Sequence, residues 1–253
     1  MIDTYPQIII NLFIFAVAGW VISLKSKNVT HVDSMWSLFF VLTYFTALSQ
    51  VGSFTDRNIA VLLLLVLWAL RLTTHLSIRN FRKPEDIRYK NIRDNNEPNF
   101  NLKSLYIIFL FQAVLALIVS LPLVASVFSL RPYGSFDKLG LAIVIIGILI
   151  EFVADRQLKK FVKSDDKGVL NKGLWRYSRH PNYSGEWLVW LGFYLISVSA
   201  GYLITIVSPI LMTILLIKIS GVGLMEGTIT ERRPDYKEYI RKTSSFIPWF
   251  PKK

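Results

Sequence analysis

The chain has 253 residues, 53% of them hydrophobic, and a formal net charge of +12 with no cysteine. This apolar content is too high for a water-soluble fold of that size, and the lack of cysteine excludes disulfides, thiolate catalysis and cysteine-based metal sites. The positive charge would suggest nucleic acid as the partner of a soluble protein. In so apolar a chain it instead indicates the cytoplasmic charge bias of a membrane protein. We therefore expect a bilayer, and no nucleic acid, as the partner.

Seven apolar runs approach the roughly 20 residues that a helix needs to cross a bilayer. In chain order they are Ile8–Leu24, Met35–Val51, Ile59–Ile78, Leu105–Leu130, Leu139–Asp155, Glu186–Ala200 and Gly201–Leu224. The sixth run is short, and it either begins earlier, near Asn182, or forms a hairpin with the seventh. The sequence thus predicts an all-α polytopic membrane protein of about seven transmembrane helices, in one integral membrane domain over residues 1–253.

The first run is expected to remain as a membrane helix. Met1–Gln7 contains Asp3 and no Lys or Arg, the reverse of the basic segment that opens a signal peptide.

Basic residues are distributed very unevenly between the gaps that separate these runs. With seven spans, 24 of the 29 Lys and Arg residues fall on one side, and Arg57, Arg131 and Lys138 fall on the other. Because cytoplasmic loops carry the excess of Lys and Arg, this predicts an outside N-terminus and a cytoplasmic C-terminus. Merging the last two runs into one would move the basic tail outside, so we prefer seven spans to six.

Several ionisable side chains lie inside or beside the predicted spans, where they are costly and are functional candidates by default. Arg71 and His75 are four residues apart on one face of the third span, and Arg79 continues that face. Glu151 and Asp155 stand at the cytoplasmic end of the fifth span. The alternative is that such residues form structural ion pairs, for example Arg71 with Glu151.

The densest polar segment is Gly173–Gly192, with the sequence GLWRYSRHPNYSGEWLVWLG. Pro181 ends any preceding helix and Asn182 is suited to cap the next one, whose N-terminus would favour an anion. Arg179 could add a bidentate phosphate contact, and Tyr183 could stack on a base. The pattern predicts an anionic, aromatic ligand at the cytoplasmic surface, and a lipid headgroup fits nearly as well.

The C-terminal segment Glu226–Pro251 is amphipathic, basic and aromatic. It is suited to lie along the membrane interface, with four aromatic side chains turned toward the apolar side: Tyr236, Tyr239, Phe246 and Trp249. A membrane-surface anchor without any ligand is the competing interpretation for the residues after Lys242.

These two segments resemble the bacterial family DUF1295, which is grouped with the steroid 5-alpha-reductase C-terminal domain proteins. The resemblance rests on RHPNYSGE at Arg179–Glu186 and on SGVGLMEGTITERRPDYKEYIRKTSSFIPWFP at Ser220–Pro251. Upstream it includes HVDSMWS, WALRLTTHLSIRN, EDIRY and EFVADRQLKKF, so that it covers nearly the whole chain. Isoprenylcysteine carboxyl methyltransferases and phospholipid methyltransferases carry segments similar to RHPNYSGE alone.

The resemblance implies a seven-helix reductase that uses NADPH, with a cofactor-binding half over residues 131–253 and substrate-cavity helices over residues 1–130. The implied cofactor-binding residues are Asp155, Arg179, His180, Asn182, Glu186, Glu226, Arg232, Tyr236 and Tyr239. Those implied for the substrate cavity are Asp33, Trp36, Arg79, Arg71 and His75. The absence of cysteine and the bacterial relatives favour the bacterial inner membrane over the endoplasmic reticulum.

The expected reaction is hydride transfer from NADPH to the β-carbon of a conjugated C=C–C=O group in a lipid or steroid-like substrate. A donor must then stabilise the negative charge on the carbonyl oxygen, and the candidates are Tyr183, His75 and Arg71. The alternatives are an S-adenosylmethionine-dependent methyltransferase of a membrane lipid or prenylated substrate, and a non-enzymatic lipid-binding or assembly protein. Cofactor binding distinguishes the three.

Overall fold

The computed structural model describes residues 1–164, 168–219, 226, 229–230 and 233–252. Throughout these residues the regular structure is helical, as the all-α prediction requires. The chain forms two compact units. Unit 1 comprises Met1–Tyr133 and Ala200–Thr205, and unit 2 comprises Gly134–Ser199 and Ile206–Lys253. The single integral membrane domain, with the roles given to residues 1–130 and 131–253, stays a prediction.

Unit 1 is a bundle of long apolar helices with shorter polar ones at their ends. Its α-helices are α1 (Tyr5–Ser26), α2 (Val32–Leu48), α3 (Asp56–Asn80), α4 (Ile87–Asp94), α5 (Phe100–Ser104), α6 (Phe111–Val119) and α7 (Leu121–Val127). A π-helical segment, Leu105–Leu110, joins α5 to α6.

Local chemistry explains several of these helix ends. The Thr55 hydroxyl accepts a hydrogen bond from the Asn58 N–H and caps α3, and the Asp86 carboxylate accepts from the Arg88 N–H and caps α4. The fourth predicted span, Leu105–Leu130, is wrong as a continuous helix, because α6 ends at Val119 and α7 begins at Leu121. Pro122, which has no N–H to continue the hydrogen-bond ladder, stands in the first turn of α7.

Three segments of unit 1 are long and apolar enough to cross a membrane. They are Ile2–Ser26, Asp56–Asn80 and Phe100–Val119, while Val32–Leu48 and Leu203–Lys218 are apolar but shorter. Large apolar side chains cover the outer face of α1, including Phe13 and Ile14. Exposure of this kind is costly in water and ordinary in lipid, so these helices fit a membrane environment.

Polar side chains join the first three helices. The Asn11 amide on α1 donates to the Thr46 hydroxyl on α2 at 2.9 Å. Between α2 and α3, Ser37 Oγ lies 2.7 Å from Thr73 Oγ1, and the Thr73 hydroxyl donates to the Ser34 carbonyl at 3.1 Å. Such interhelical hydrogen bonds are typical of helices packed in lipid, where water cannot satisfy a hydroxyl.

Unit 2 is organised around two long helices that pack against each other. Its α-helices are α8 (Ser135–Val162), α9 (Pro181–Ser199), α10 (Val207–Ile214) and α11 (Tyr236–Lys242), and a π-helical segment, Leu215–Ile219, continues α10. The sixth predicted run began at Glu186, whereas α9 begins five residues earlier, at Pro181. Proline is favoured there because the first turn of a helix needs no N–H at that position.

Glycines set how closely α8 and α9 approach. A Cβ added at Gly147 would lie 2.7 Å from the Gly185 carbonyl oxygen, and one added at Gly140 would lie 2.6 Å from the Gly192 carbonyl oxygen. These distances are far below a van der Waals contact, so only glycine permits the two backbones to meet here. The glycines recur seven residues apart on each helix, which gives the facing surfaces a common register.

Candidate functional site

In unit 2 the side chain of Arg179 ties the start of α9 to the C-terminal segment. Its Nε and Nη2 donate to the two oxygens of Glu226 at 2.6 and 3.0 Å. Its Nη1 donates to the Ile240 carbonyl at 3.1 Å and also to the Thr243 carbonyl. The Arg179 side chain is only 8% exposed. Of the five N–H donors of a guanidinium, at least four are therefore used by described residues of the protein.

His180 and Tyr183 extend this group. His180 Nε2 lies 3.2 Å from Glu226 Oε1, and the rings of His180 and Tyr183 stack with centroids 5.3 Å apart. Burial alone would raise the pKa of Glu226, but hydrogen bonds from His180 and Arg179 outweigh it and lower that pKa below its usual value. Glu226 is therefore a carboxylate at neutral pH. We call Arg179, His180 and Glu226 the tail latch.

Tyr236 and Tyr239 pack beside the latch as buried residues, with ring centroids 5.4 Å apart. Burial, and then the charge of Glu226, raises the pKa of Tyr236 to about 12. The Tyr239 hydroxyl donates to the Trp175 and Ser178 carbonyls. The prediction that the tail turns its aromatic side chains to the membrane is thus wrong for Tyr236, Tyr239 and Phe246. These three side chains are buried inside the protein.

Three further residues implied for the cofactor lie on α8 and α9. The Asn182 amide donates to Asp155 Oδ1 at 3.5 Å, a weak hydrogen bond. Glu186 is buried and accepts a hydrogen bond from Trp190 Nε1 at 3.2 Å. The buried Asn182 Oδ1 has no hydrogen-bond partner among the described residues. Arg232, the remaining member of the implied set, lies outside the described residues.

A cleft of about 480 Å³ opens beside α11. Its lining includes Arg176, Asn171 and Lys242, with Tyr239 as the residue it shares with the implied cofactor set.

Unit 1 contains a second polar group, centred on Asp33 at the start of α2. The Tyr89 hydroxyl donates to Asp33 Oδ1 at 2.5 Å, and Arg88 Nη2 donates to Asp33 Oδ2 at 2.7 Å. Arg79, at the end of α3, places its Nη2 3.8 Å from the same oxygen. The Gln112 amide donates to the Tyr89 hydroxyl at 3.2 Å. We call Asp33, Arg79, Arg88, Tyr89 and Gln112 the acid–tyrosine cluster.

Burial and charge fix the protonation states in this cluster. Tyr89 is buried, and its burial, followed by the negative charge of Asp33, raises its pKa well above the ordinary value. Tyr89 therefore remains a neutral hydrogen-bond donor. Asp86 would have a raised pKa from burial alone, but hydrogen bonds from the Arg88 side chain and N–H lower it. The charged Asp86 carboxylate caps α4 and orients the Arg88 guanidinium toward Asp33.

The other residues implied for the substrate cavity lie on α2 and α3. Arg71 and His75 are half-buried on α3, and Trp36 is half-buried on α2, where its ring packs edge-on against Phe40 at 5.0 Å. Asp33 and Arg79, by contrast, meet in the acid–tyrosine cluster.

Arg88, Tyr89 and Gln112 are the members of that cluster that the sequence prediction missed. A signal for two of them was present, because the motif EDIRY spans Glu85–Tyr89 and its Asp86 is a recognisable helix cap. Gln112 follows the π-helical segment, a rare geometry that is frequent at functional sites. As a lone amide in an apolar run, it could have been singled out by the cost of burying it.

Comparison with known proteins agrees with the resemblance seen in the motifs. The chain matches the family described as "Protein of unknown function (DUF1295)" over residues 19–243. It is similar to an uncharacterized protein of Schizosaccharomyces pombe, with 24% identity over 284 residues that cover 97% of this chain and 80% of the relative. No solved structure matches it. Since the match extends over most of the chain, this protein belongs to the DUF1295 family.

Proposed function

We propose that the protein is a membrane-embedded, NADPH-dependent reductase of a conjugated C=C bond in a lipid or steroid-like substrate. The observation that carries the proposal is the hydrogen bond of 2.5 Å between the buried Tyr89 hydroxyl and Asp33. It joins a tyrosine that keeps its proton to a carboxylate whose charge two arginines balance. The resemblance to the steroid 5-alpha-reductase-like proteins supplies the reaction class.

Reduction of an enone places negative charge on the carbonyl oxygen as a hydride reaches the β-carbon, and a proton must then reach the α-carbon. Bound NADPH would supply the hydride. The protein has to offer a donor to that oxygen. In the structure the single O–H proton of Tyr89 is donated to Asp33, so Tyr89 would serve as the donor by turning that O–H from Asp33 to the carbonyl oxygen when the substrate binds. We place Tyr89 ahead of Tyr183, His75 and Arg71 in this role, because it keeps its proton and Gln112 donates to its hydroxyl oxygen. Arg79 and Arg88 would still balance the charge of Asp33 once the O–H has turned away.

The polar groups of unit 2 fit part of a dinucleotide. Asp155 and Glu186 offer carboxylate oxygens to sugar hydroxyls, and the unpartnered Asn182 Oδ1 offers an acceptor. Arg179 fits a phosphate less well, because four of its donors already bind the protein. We propose that Arg179 holds the tail in position and that other cations contact the phosphates.

The membrane arrangement that goes with this function has seven spans, an outside N-terminus and a cytoplasmic C-terminus. Three helices long and apolar enough to cross a membrane support a membrane placement, and the distribution of basic residues supports the orientation. The bacterial inner membrane is the proposed location, on the grounds of the missing cysteines and of motifs that resemble a bacterial family.

The first experiment measures cofactor binding. Purified full-length protein in detergent is heated with NADPH, NADH or S-adenosylmethionine, since a ligand that binds only the folded state raises the apparent stability. We expect NADPH to stabilise the protein most, and an Asn182→Ala variant to lose that stabilisation while melting normally without ligand. Stabilisation by S-adenosylmethionine alone would favour the methyltransferase, whose cofactor carries no phosphate and needs no free arginine.

The second experiment tests the donor. NADPH oxidation is followed with a panel of enone lipids and steroids. We expect Tyr89→Phe to lose turnover while NADPH binding is retained. Tyr106→Phe is the matched control, because Tyr106 is 57% exposed and lies outside the cluster. Normal turnover by the Tyr89→Phe variant would exclude Tyr89 as the donor.

A further inference from the structure

We infer that four side chains of unit 2 form an interfacial anchor that inserts into the headgroup region of an anionic bilayer. They are Tyr177, Ile247, Trp249 and Phe250, and we call them the aromatic ridge. The inference rests on the proposed membrane placement of α8. It does not depend on reductase activity.

The ridge exposes large apolar side chains next to one another. Ile247 is 62% exposed, Trp249 is 70% exposed and Phe250 is 75% exposed. Tyr177 packs edge-on against Phe250 with ring centroids 5.9 Å apart, so the segments 173–177 and 246–252 contribute to one surface. Trp and Tyr are the residues that concentrate at membrane–water interfaces, where an apolar ring body meets a polar edge.

The backbone under the ridge is fixed to the rest of unit 2 at three points. The Phe246 carbonyl accepts hydrogen bonds from the hydroxyls of Ser178 and Ser184 at 2.8 and 2.5 Å. The Trp249 N–H donates to the Tyr177 carbonyl at 2.9 Å, and the Lys252 N–H donates to the Lys242 carbonyl at 2.8 Å. The exposed rings therefore belong to an anchored segment, and ordering them in a membrane costs little further backbone entropy.

Hydrogen bonds to α8 show which part of that helix the ridge segment lies beside. The outward face of α8 is apolar as far as Phe152 and Val153, which are 50% and 39% exposed, and the exposed cations Lys159 and Lys160 follow. Trp175 Nε1 donates to the Ala154 carbonyl at 3.1 Å, and the Leu174 N–H donates to Gln157 Oε1 at 3.1 Å. The segment that leads into Tyr177 thus meets α8 at the transition from its lipid-facing band to its basic end.

Exposed cations flank the ridge on both of its chain segments. Arg176 precedes Tyr177, Arg241 and Lys242 end α11, and Lys252 follows Phe250. Each cation held near an anionic bilayer surface adds to the attraction, and buried aromatic area adds the apolar part. This combination selects a bilayer with anionic headgroups as the occupant of the surface.

The absence of cysteine makes a direct test simple, because one engineered cysteine gives one label. Full-length F250C and I247C variants carry an environment-sensitive fluorophore in nanodiscs that hold one copy of the chain. We expect the emission of the label to be blue-shifted. Lipids that carry a spin label near the headgroup should quench it strongly, and iodide in the aqueous phase should quench it weakly. The shift should grow when anionic lipid replaces part of the zwitterionic lipid.

The matched control is K237C, an exposed position in the first turn of α11 that is not part of the ridge, whose label should remain open to iodide. Iodide access at positions 247 and 250 equal to that at 237 would overturn the inference. Protection that occurs only in discs holding two copies would also overturn it, since a second chain would then cover the ridge. NADPH binding to the same samples is measured separately. The membrane contact of the ridge can therefore be judged even if the protein does not bind NADPH.

Discussion

Each of the two units brings arginine, carboxylate and tyrosine side chains together, but the two groups leave different numbers of hydrogen-bonding atoms for a ligand. In the tail latch of unit 2, Arg179 is 8% exposed and four of its donors are used within the protein. In the acid–tyrosine cluster of unit 1, the side chain of Arg79 is 45% exposed and Gln112 Oε1 has no partner among the described residues. The latch is therefore suited to hold the tail in place, and the cluster leaves more hydrogen-bonding groups open to a ligand.

This difference teaches that a dense polar motif marks a place of strong constraint, whether the constraint serves binding or assembly. The segment RHPNYSGE resembles a ligand site in sequence, yet its arginine holds carbonyls and a carboxylate that lie 47 to 64 residues away in the chain. The less conspicuous EDIRY motif supplies the buried tyrosine.

Removing Arg179 should have the largest effect. An Arg179→Ala variant leaves Glu226 without its main partner and frees the carbonyls of residues 240 and 243, and breaking a buried ion pair in this way costs about 3–5 kcal/mol. Unfolding in mixed micelles at increasing SDS measures the loss. Arg241→Ala, at an exposed position of α11, is the control and should change little. Equal stability of the two variants would mean that Arg179 is available to a ligand after all.

Acid should break the same latch more gently. Because the folded-state pKa of Glu226 lies below its unfolded value of about 4.3, its charge stabilises the fold above that value and the stabilisation is lost as pH falls through the folded-state pKa. Melting temperature in detergent, followed from neutral pH downward, should therefore fall more steeply in wild type than in Glu226→Gln. Parallel curves would show that other carboxylates, such as Asp86, control the acid response.

In the acid–tyrosine cluster, the bond between Tyr89 and Asp33 should account for a moderate share of stability. A hydrogen bond to a charged group contributes about 1.5–3 kcal/mol, so Tyr89→Phe and Asp33→Asn should each destabilise unit 1. A double-mutant cycle measures the coupling, because the double variant should cost less than the sum of the single variants. Additive costs would indicate that the two groups act independently.

Much of the helical framework could be predicted from the sequence. Apolar runs identified α1, α2 and α3 to within three residues at each end, because hydrophobicity is a local property. They also located α8 and α9, but α8 ends seven residues later than predicted and α9 begins five residues earlier. The break between α6 and α7 was missed because Pro122 lies inside a long apolar run. Hydropathy measures only how apolar a residue is, and it does not show that proline lacks the backbone N–H that would continue the helix. The π-helical segment before α6 is likewise a property of hydrogen bonding.

The candidate sites were less predictable, because they depend on pairings across the chain. The resemblance implied Asp33 and Arg79 for the substrate cavity, but their association with Tyr89, 56 residues beyond Asp33, follows from how α2 and α4 pack. The partners of Arg179 include two backbone carbonyls, and a pattern of side chains in the sequence cannot predict a bond to a backbone carbonyl. Sequence identified which residues are costly to bury, and the structure shows what offsets the cost.

The glycine contacts of unit 2 give a smaller effect that has a clean control. Gly147→Ala places a methyl group 2.7 Å from the Gly185 carbonyl oxygen and should destabilise the α8–α9 pair by about 1–3 kcal/mol, the usual range for overpacking. Gly52→Ala, whose Cβ would meet nothing within 4 Å, should leave SDS-induced unfolding unchanged. A neutral Gly147→Ala would imply that the two helices separate easily.

The smallest effect is expected where side chains join the helices of unit 1. Thr73→Val removes the hydroxyl that lies 2.7 Å from Ser37 Oγ and that donates to the Ser34 carbonyl. Hydrogen bonds between membrane helices average about 0.6 kcal/mol, because the separated helices in lipid satisfy such groups in other ways. SDS-induced unfolding should therefore barely distinguish Thr73→Val from wild type, in contrast to Gly147→Ala. A loss as large as that of the glycine variant would show that side-chain hydrogen bonds stabilise unit 1 as strongly as close backbone contact stabilises unit 2.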